Sequence, residues 1–313
     1  MKSFVKGCAI AALFLFGLGM TMVIAGCALG GVDETNKIVQ EVKDKIPADV
    51  KEKVQGILDS KIYSIDDFGG VFKDGEKTLE GDVKKFSLSA DGVEKIKLDI
   101  GGCEVTILDS EDDDFWVEAK NVQKFQAYVD GETLHVVNTS KEKTISGLNI
   151  KNVKITLYVP EGLVFDKAEI ELGAGIIHSD AFAAKKAEIK IGAGDLQLKS
   201  MDSDDVKIQI GAGNVEIGDA SIDKLECKVG AGNFTLKGEL HDDVKVDCAM
   251  GNISLDLKNA YKDFDYEVKC SAGNIDLNGK KYTGLSKEEK IDNDAEHEMK
   301  LECSVGNVDV SFK

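Results

Sequence analysis

Apolar and polar side chains alternate along much of this chain, and the alternation breaks and restarts at glycine. Val206, Ile208 and Ile210 alternate with Lys207 and Gln209; Gly211-Ala212-Gly213-Asn214 follows, and Val215 and Ile217 resume around Glu216. A period of two is the strand period, so the stretch predicts a strand, a bend and a second strand. The flanking stretches repeat it. Ala187, Ile189 and Ile191 precede one bend and Leu196 and Leu198 follow it; Leu225, Cys227 and Val229 precede another and Phe234 and Leu236 follow. A return loop closes each copy and keeps one apolar residue, at Phe182, Met201 or Ala220.

The second glycine of the bend falls at Gly175, Gly194, Gly213, Gly232 and Gly251, each 19 residues after the last, and degenerate copies follow at Gly273 and Gly306. A fixed period near 20 signals a repeat architecture. One copy buries too few side chains to offset the ordering of its backbone, so copies must stack. The alternation slips by one residue across Gly213-Asn214. That slip predicts a φ > 0 position, which glycine takes freely and asparagine tolerates. Asn214, Asn233, Asn252, Asn274 and Asn307 share one column with Asp195 in register, and in a stack these side chains can form a hydrogen-bonded ladder. The fold class is therefore all-β: a β-solenoid or β-helix-like stack of 19-residue strand-turn-strand repeats. An antiparallel meander also fits two strands per 19 residues. The regular repeats cover about 168–256 and degenerate copies run to 313. An earlier copy reads "LDIGGCEVTI", with Cys103 at the glycine position. The polar insertion "NGKKYTGLSKEEKIDNDAEHEMK" before the last strand pair is expected to cover the open end of the stack.

The amino terminus places the protein. Residues 7–32 carry no charge, Lys2 and Lys6 precede them, and Asp33 and Glu34 follow. About 20 such residues cross a bilayer, and lysine on one side only predicts a cytoplasmic N-terminus with the rest outside. The segment is a retained signal anchor or a lipoprotein signal ending at Ile24-Ala25-Gly26-Cys27, with Cys27 the residue that would be lipidated. Ile38, Val42, Ile46, Val50, Val54 and Leu58 then fall four apart, a narrow helical stripe interrupted by Pro47. The organisation expected is an anchor or signal over 1–32, a helical spacer over 33–60, a linker over 61–90 and a β-repeat domain over 91–313.

Composition narrows the chemistry. The 313 residues carry 57 acidic and 39 basic side chains, a net charge of -18, and every basic residue is lysine. Such a surface argues against nucleic acid as a partner. The seven cysteines form no CxxC pair and histidine numbers four, so zinc-finger spacing is absent. A phosphate loop needs a helix after its glycines, and here strands follow. The acidic stretches at 110–114 and 202–205 read as solvated loops rather than calcium sites. Cys248, Cys270 and Cys303 fall in one inward column with Cys227 in an adjacent one, a buried structural set. No catalytic, cofactor-binding or metal-ligating residues emerge, and no cofactor is implied.

The uncharged N-terminal segment, "LYVPEG", the GAGD and GAGN strand pairs and the closing "LECSVGNVDVSF" together resemble a bacterial family of glycine-rich β-strand-repeat domains. Its members carry an adhesin label and are also called toastrack domains, a family of unknown function. The likeness covers about residues 90–313. It implies an envelope-exposed, non-catalytic module and supplies no catalytic residues. Three functions follow as expectations. The first is a membrane-held, extracytoplasmic surface-binding or scaffold module, whose partners would be the membrane and an envelope protein or glycan. The second is an envelope-stress sensor acting through a membrane partner. The third, a carbohydrate-active β-helix enzyme, is the least supported.

Overall fold

Inward side chains return every 19 residues, and they do so in more runs than the sequence suggests. The computed structural model describes residues 79–81, 84–138, 153–283 and 286–313; the membrane segment, the helical spacer and Cys27 lie outside the described residues. All described residues belong to one unit. They are all-β apart from a single 3-10 turn at Tyr261–Asp263. In chain order the strands are β1 (Leu79–Gly81), β2 (Lys84–Leu88), β3 (Lys95–Ile100), β4 (Glu104–Ser110), β5 (Phe115–Lys120), β6 (Val122–Asp130) and β7 (Thr133–Asn138). Next come β8 (Lys154–Pro160), β9 (Phe165–Leu172), β10 (Ile176–Ile191), β11 (Asp195–Ile210), β12 (Asn214–Val229) and β13 (Asn233–Leu240). The chain ends with β14 (Val244–Cys248), β15 (Asn252–Leu257), β16 (Phe264–Cys270), β17 (Asn274–Leu277), β18 (Lys280–Thr283), β19 (Lys287–Ile291), β20 (His297–Cys303) and β21 (Asn307–Phe312).

The central repeats β10, β11 and β12 are unbroken strands of 16 residues. In β12 the buried residues are Val215 and Ile217, then Ala220 and Ile222, then Leu225, Cys227 and Val229. Two exposed residues in succession, Gly218-Asp219 and Asp223-Lys224, separate these runs. Each pair is a second and third parity slip, so one coil presents three inward runs and turns at two corners besides the glycine bend. The expected return loop is therefore strand. It turns the corners without leaving the ladder, and its apolar residues Phe182, Met201 and Ala220 are buried.

Coils stack in parallel with a 19-residue register: Ile189 pairs with Ile208, Ile208 with Cys227, and Cys227 with Val246. That register excludes the meander. β-branched and aliphatic residues fill the core continuously, each buried side chain contributing about 1.5–3 kcal/mol. On the outer face in-register stacking would set like charges above one another, which destabilises a sheet. Lysines interrupt the acidic columns instead. Lys190 lies 3.4 Å from Glu171 and 2.9 Å from Glu188, and Lys97 lies 3.3 Å from Glu169.

The stack order departs from chain order at both ends. The strand pair β7/β8 packs outside β3/β4, while β9 and the start of β10 pack on the other side of β3/β4. At the opposite end, β20/β21 inserts between β14/β15 and β16/β17. The outermost coils are then finished by antiparallel strands. β6 pairs with β7 and β5 with β8 at one end, and β1 and β2 add to these in turn. At the other end β19 pairs with β16 and β18 with β17, so the 278–300 insertion lies along the edge.

The bend glycines are not where the φ > 0 expectation put them. Positive φ occurs at Gly92, Gly131, Gly162, Gly238 and Gly279 and at Asn121, Asn278, Ser286 and Asp294, and none of Gly175, Gly194, Gly213, Gly232, Gly251, Asn214 or Asn233 is among them. The reason for glycine is close approach. A Cβ on Gly213 would sit 2.7 Å from Ile191 Cγ2, 3.0 Å from Gly194 N and nearer still to Gly194 O. Gly194, Gly232, Gly251 and Gly306 each face the carbonyl of the bend glycine in the coil beneath in the same way. Three consecutive bend residues spread the parity slip, so no single residue has to adopt a left-handed conformation.

Candidate functional site

With the core filled, recognition has to use the outer surface. The column after the bend carries a continuous side-chain ladder. Asn214 Nδ2 donates to Asp195 Oδ1 at 2.6 Å, Asn233 to Asn214 at 2.7 Å, Asn252 to Asn233 at 2.8 Å and Asn307 to Asn252 at 2.8 Å. Asn274 continues the column in register with Asn307. Asn214, Asn233 and Asn252 each both donate and accept, which fixes their orientation. Gly273 meets Cys303 Sγ and Gly306 O where the other bends meet a glycine carbonyl.

The short second run of each coil forms a groove. Its inward residue shrinks along the stack from Phe182 to Met201 to Ala220, and Gly238 continues the series. Between Ile217 and Ala220 the register with β13 shifts, so two residues of β12 oppose Lys237 alone. Gly238 (φ 150) lies so close to Ala220 that no side chain fits there. Loss of side-chain volume beneath the strands leaves a surface groove of about 350 Å³ lined by residues 181–183, 200–202, 219–221, Glu239 and Lys258. Lys258 Nζ reaches Asp219 Oδ1 at 2.9 Å across the groove, and that bond raises the Lys258 pKa. Ala181, Phe182 and Ala183 also line a second groove of about 140 Å³ with Ile107, Val159, Pro160, Leu163 and Val164. Val164 is 51% exposed, an unusual position for a large aliphatic side chain here. The two grooves form one track, apolar at the Val164 end and acidic at the Asp219–Glu239 end.

The track holds little that could carry out a reaction. Ser221 Oγ lies 3.4 Å from His241 Nε2, both exposed, and no hydrogen bond orients the far ring nitrogen. A nucleophile needs a tighter contact and an oriented base. The described cysteines are free thiols and buried: Cys103, Cys227, Cys248, Cys270 and Cys303. Register places Cys303 between Cys248 and Cys270. Cys248 Sγ donates to Gly251 O at 3.1 Å and Cys303 Sγ to Gly306 O at 3.0 Å, so each thiol lies against its own bend carbonyl. Burial pushes the Cys103 thiol up to about 12 and raises Cys227 above the ordinary thiol range, and the hydrogen bond with Cys303, helped by burial, raises Cys248. Such thiols are poor nucleophiles. Sequence reading located the bend and the Asn column but missed the groove, whose signal is the shrinking series Phe182, Met201, Ala220.

Residues 161–311 match the family model Toastrack DUF4097. That stretch is similar to the Toastrack family. Solved structures that the chain is similar to include a candidate cell adhesion protein from Clostridium sporogenes, 15% identical over 75% of this chain and 100% of that one, with a TM-score of 0.34. A candidate adhesin from Bacteroides fragilis is 14% identical over 78% of this chain and 100% of that one, with a TM-score of 0.33. A candidate lipid-binding protein from Parabacteroides distasonis is 15% identical over 75% and 99%, with a TM-score of 0.42. No curated protein matches the chain. The matched stretch holds the regular 19-residue coils, the Asn ladder and the larger groove.

Proposed function

We propose that the chain is a non-catalytic surface-binding or scaffold module of the adhesin type, held on the outer side of a membrane by its uncharged N-terminal segment. The observation that carries this reading is the open track from Val164 to Glu239, which runs across several coils of an otherwise filled solenoid. An open groove with a rigid floor suits an extended partner, an envelope protein or a glycan strand, better than it suits a small substrate that must be enclosed. The parallel backbone ladder through Phe182, Met201 and Ala220 keeps that floor rigid, so little ordering entropy is lost on binding.

The test uses the full-length chain with a C-terminal tag, recovered from membranes in detergent and used for affinity capture from envelope extract. Specific capture that falls when Lys258 and Glu239 are replaced by alanine supports the reading. Turnover of cell-wall polysaccharide, or capture indifferent to those substitutions, overturns it. Protease added to intact cells separately reports which side of the membrane the β domain occupies.

A further inference from the structure

We propose that Asp242, Asp243 and His297 form a site for a zinc-class divalent cation, one that fixes the inserted strand pair β20/β21 to the body of the stack. The two aspartates lie in the turn between β13 and β14, and His297 is the first residue of β20. One ligand atom from each residue can be chosen so that all three lie within 4.8 Å of one another. His297 Nδ1 is 3.3 Å from Asp242 Oδ1. Both carboxylates are already held: Asp242 Oδ1 accepts the Asp243 N–H at 2.6 Å, and Asp243 Oδ1 accepts the Glu298 N–H at 3.0 Å. Each keeps its second oxygen available, and backbone donors of this kind orient metal-binding carboxylates.

The donor set selects the metal. Calcium takes six to eight oxygens, whereas an imidazole with two carboxylates and a solvent-filled fourth position suits zinc and its neighbours. Both Asp242 and His297 are partly exposed, which leaves that fourth position open to water. A second observation concerns charge along the corner column. Asp204 and Asp223 take the same place in successive coils, and the Asp242 N–H donates to Asp223 O at 2.9 Å, which sets the Asp242 turn beside the end of that pair. Parallel strands set such side chains roughly 4.8 Å apart. Two carboxylates, Asp242 and Asp243, meet one imidazole, and a divalent cation between them offsets their charge. The site joins segments far apart in the chain at the point where β20 enters after the insertion, which is why a cation there would act as a staple.

The test titrates full-length chain, stripped with a chelator, with zinc chloride and separately with calcium chloride. Zinc is expected to bind and to raise Tm by about 5 °C, reversed by chelator. His297→Gln and Asp242→Asn are each expected to weaken zinc binding at least tenfold while leaving the metal-free Tm within about 2 °C of the parent, as befits exposed positions. Cobalt used as a probe should give ligand-field bands without thiolate charge transfer, because no cysteine takes part. Should a variant fail to fold, the cobalt spectrum of the unmodified chain decides. A thiolate band, an equal response to calcium, no Tm shift, or zinc binding undiminished in the variants each overturns the proposal.

Discussion

Replacing Gly213 with asparagine separates two physical accounts of the bend. If glycine were needed for a left-handed backbone, asparagine would be the mildest replacement, costing well under about 1 kcal/mol. If glycine is needed because the coil beneath is too close, asparagine should be no better than alanine. The structure favours the second account. Any Cβ at Gly213 lies 2.7 Å from Ile191 Cγ2 and closer to Gly194 O, and the carbonyl is backbone, so it cannot swing aside. Relief requires the two bends to separate. Asn214 N donates to Gly194 O at 3.0 Å and Ala212 N to Gly192 O at 2.7 Å, and both bonds would stretch or break. Two backbone hydrogen bonds at about 1 kcal/mol each, with overpacking strain of about 1–3 kcal/mol, give a loss of roughly 3–5 kcal/mol. The assay is urea unfolding followed by circular dichroism. Gly162→Asn is the control: its φ is 75° and nothing lies within 4 Å of an added Cβ, so it should cost under about 1 kcal/mol. A Gly213→Asn variant as stable as the control would refute the close-approach argument.

Other expectations follow from the same geometry. Asn233→Ala removes two ladder bonds, at 2.7 and 2.8 Å, and should cost about 1 kcal/mol in the same unfolding assay while leaving the circular dichroism spectrum unchanged. With Cys103 near 12, about one thiol in ten thousand is ionised at pH 8, so this buried thiol should react with a thiol reagent only after denaturation. Stability should fall on both sides of neutrality in pH-dependent melting. Lys167 and Lys97 hold the Glu169 carboxyl below its usual range, a contribution lost as pH drops below about 4.5; raised thiols favour the native state up to about pH 9 and lose that advantage above it. Lys258→Ala should leave Tm unchanged, because its partner Asp219 is mostly exposed, and yet should reduce capture of the groove's partner.

The repeat was legible because a period of two and an interval of 19 are written directly in residue type. The Asn214, Asn233 and Asn252 column followed from the interval, since in-register stacking turns equal spacing into contact, whereas the cysteines, Asn274 and Asn307 followed from their fixed place beside the bend glycine. The φ > 0 inference failed for a definite reason. A parity slip states that a bend exists and leaves open how it is shared, and here three residues share it. The corners at Gly218-Asp219 and Asp223-Lys224 were hidden in polar stretches that look like loop. The groove was harder still, because it arises from a difference between coils rather than from any one of them. The membrane segment and Cys27 lie outside the described residues, so their reading rests on charge and length alone.

Stack order could not be read from spacing at all. A strand pair with the right alternation fits any exposed coil edge, and pairing to either neighbour forms the same ladder. Yet at both ends the chain makes the same choice: an outer coil is laid down, antiparallel strands flank it, and the stack grows or closes on its inner side. The terminal strands explain the benefit. β2 begins with Lys84-Lys85, β18 is Lys280-Lys281-Tyr282-Thr283, and β19 carries Lys287, Glu288, Glu289 and Lys290 on five residues. Short, charged strands are poor templates for another chain, whereas a bare β16 or β17 would present a long parallel edge with buried-type residues behind it. A parallel repeat whose coils all attract one another is open to end-to-end growth by its own logic, so termination has to be built in. Placing the last regular pair, β20/β21, inside the stack lets the irregular insertion occupy the edge. Replacing Asn278–Glu296 with about five glycine and serine residues, enough to span the step that Leu236 to Val244 makes in the equivalent coil, should therefore leave the coils able to fold and make the chain associate end to end, which sedimentation at increasing concentration would register. A deletion that stayed monomeric would show that the coil edge is harmless and that the reversed order serves another purpose.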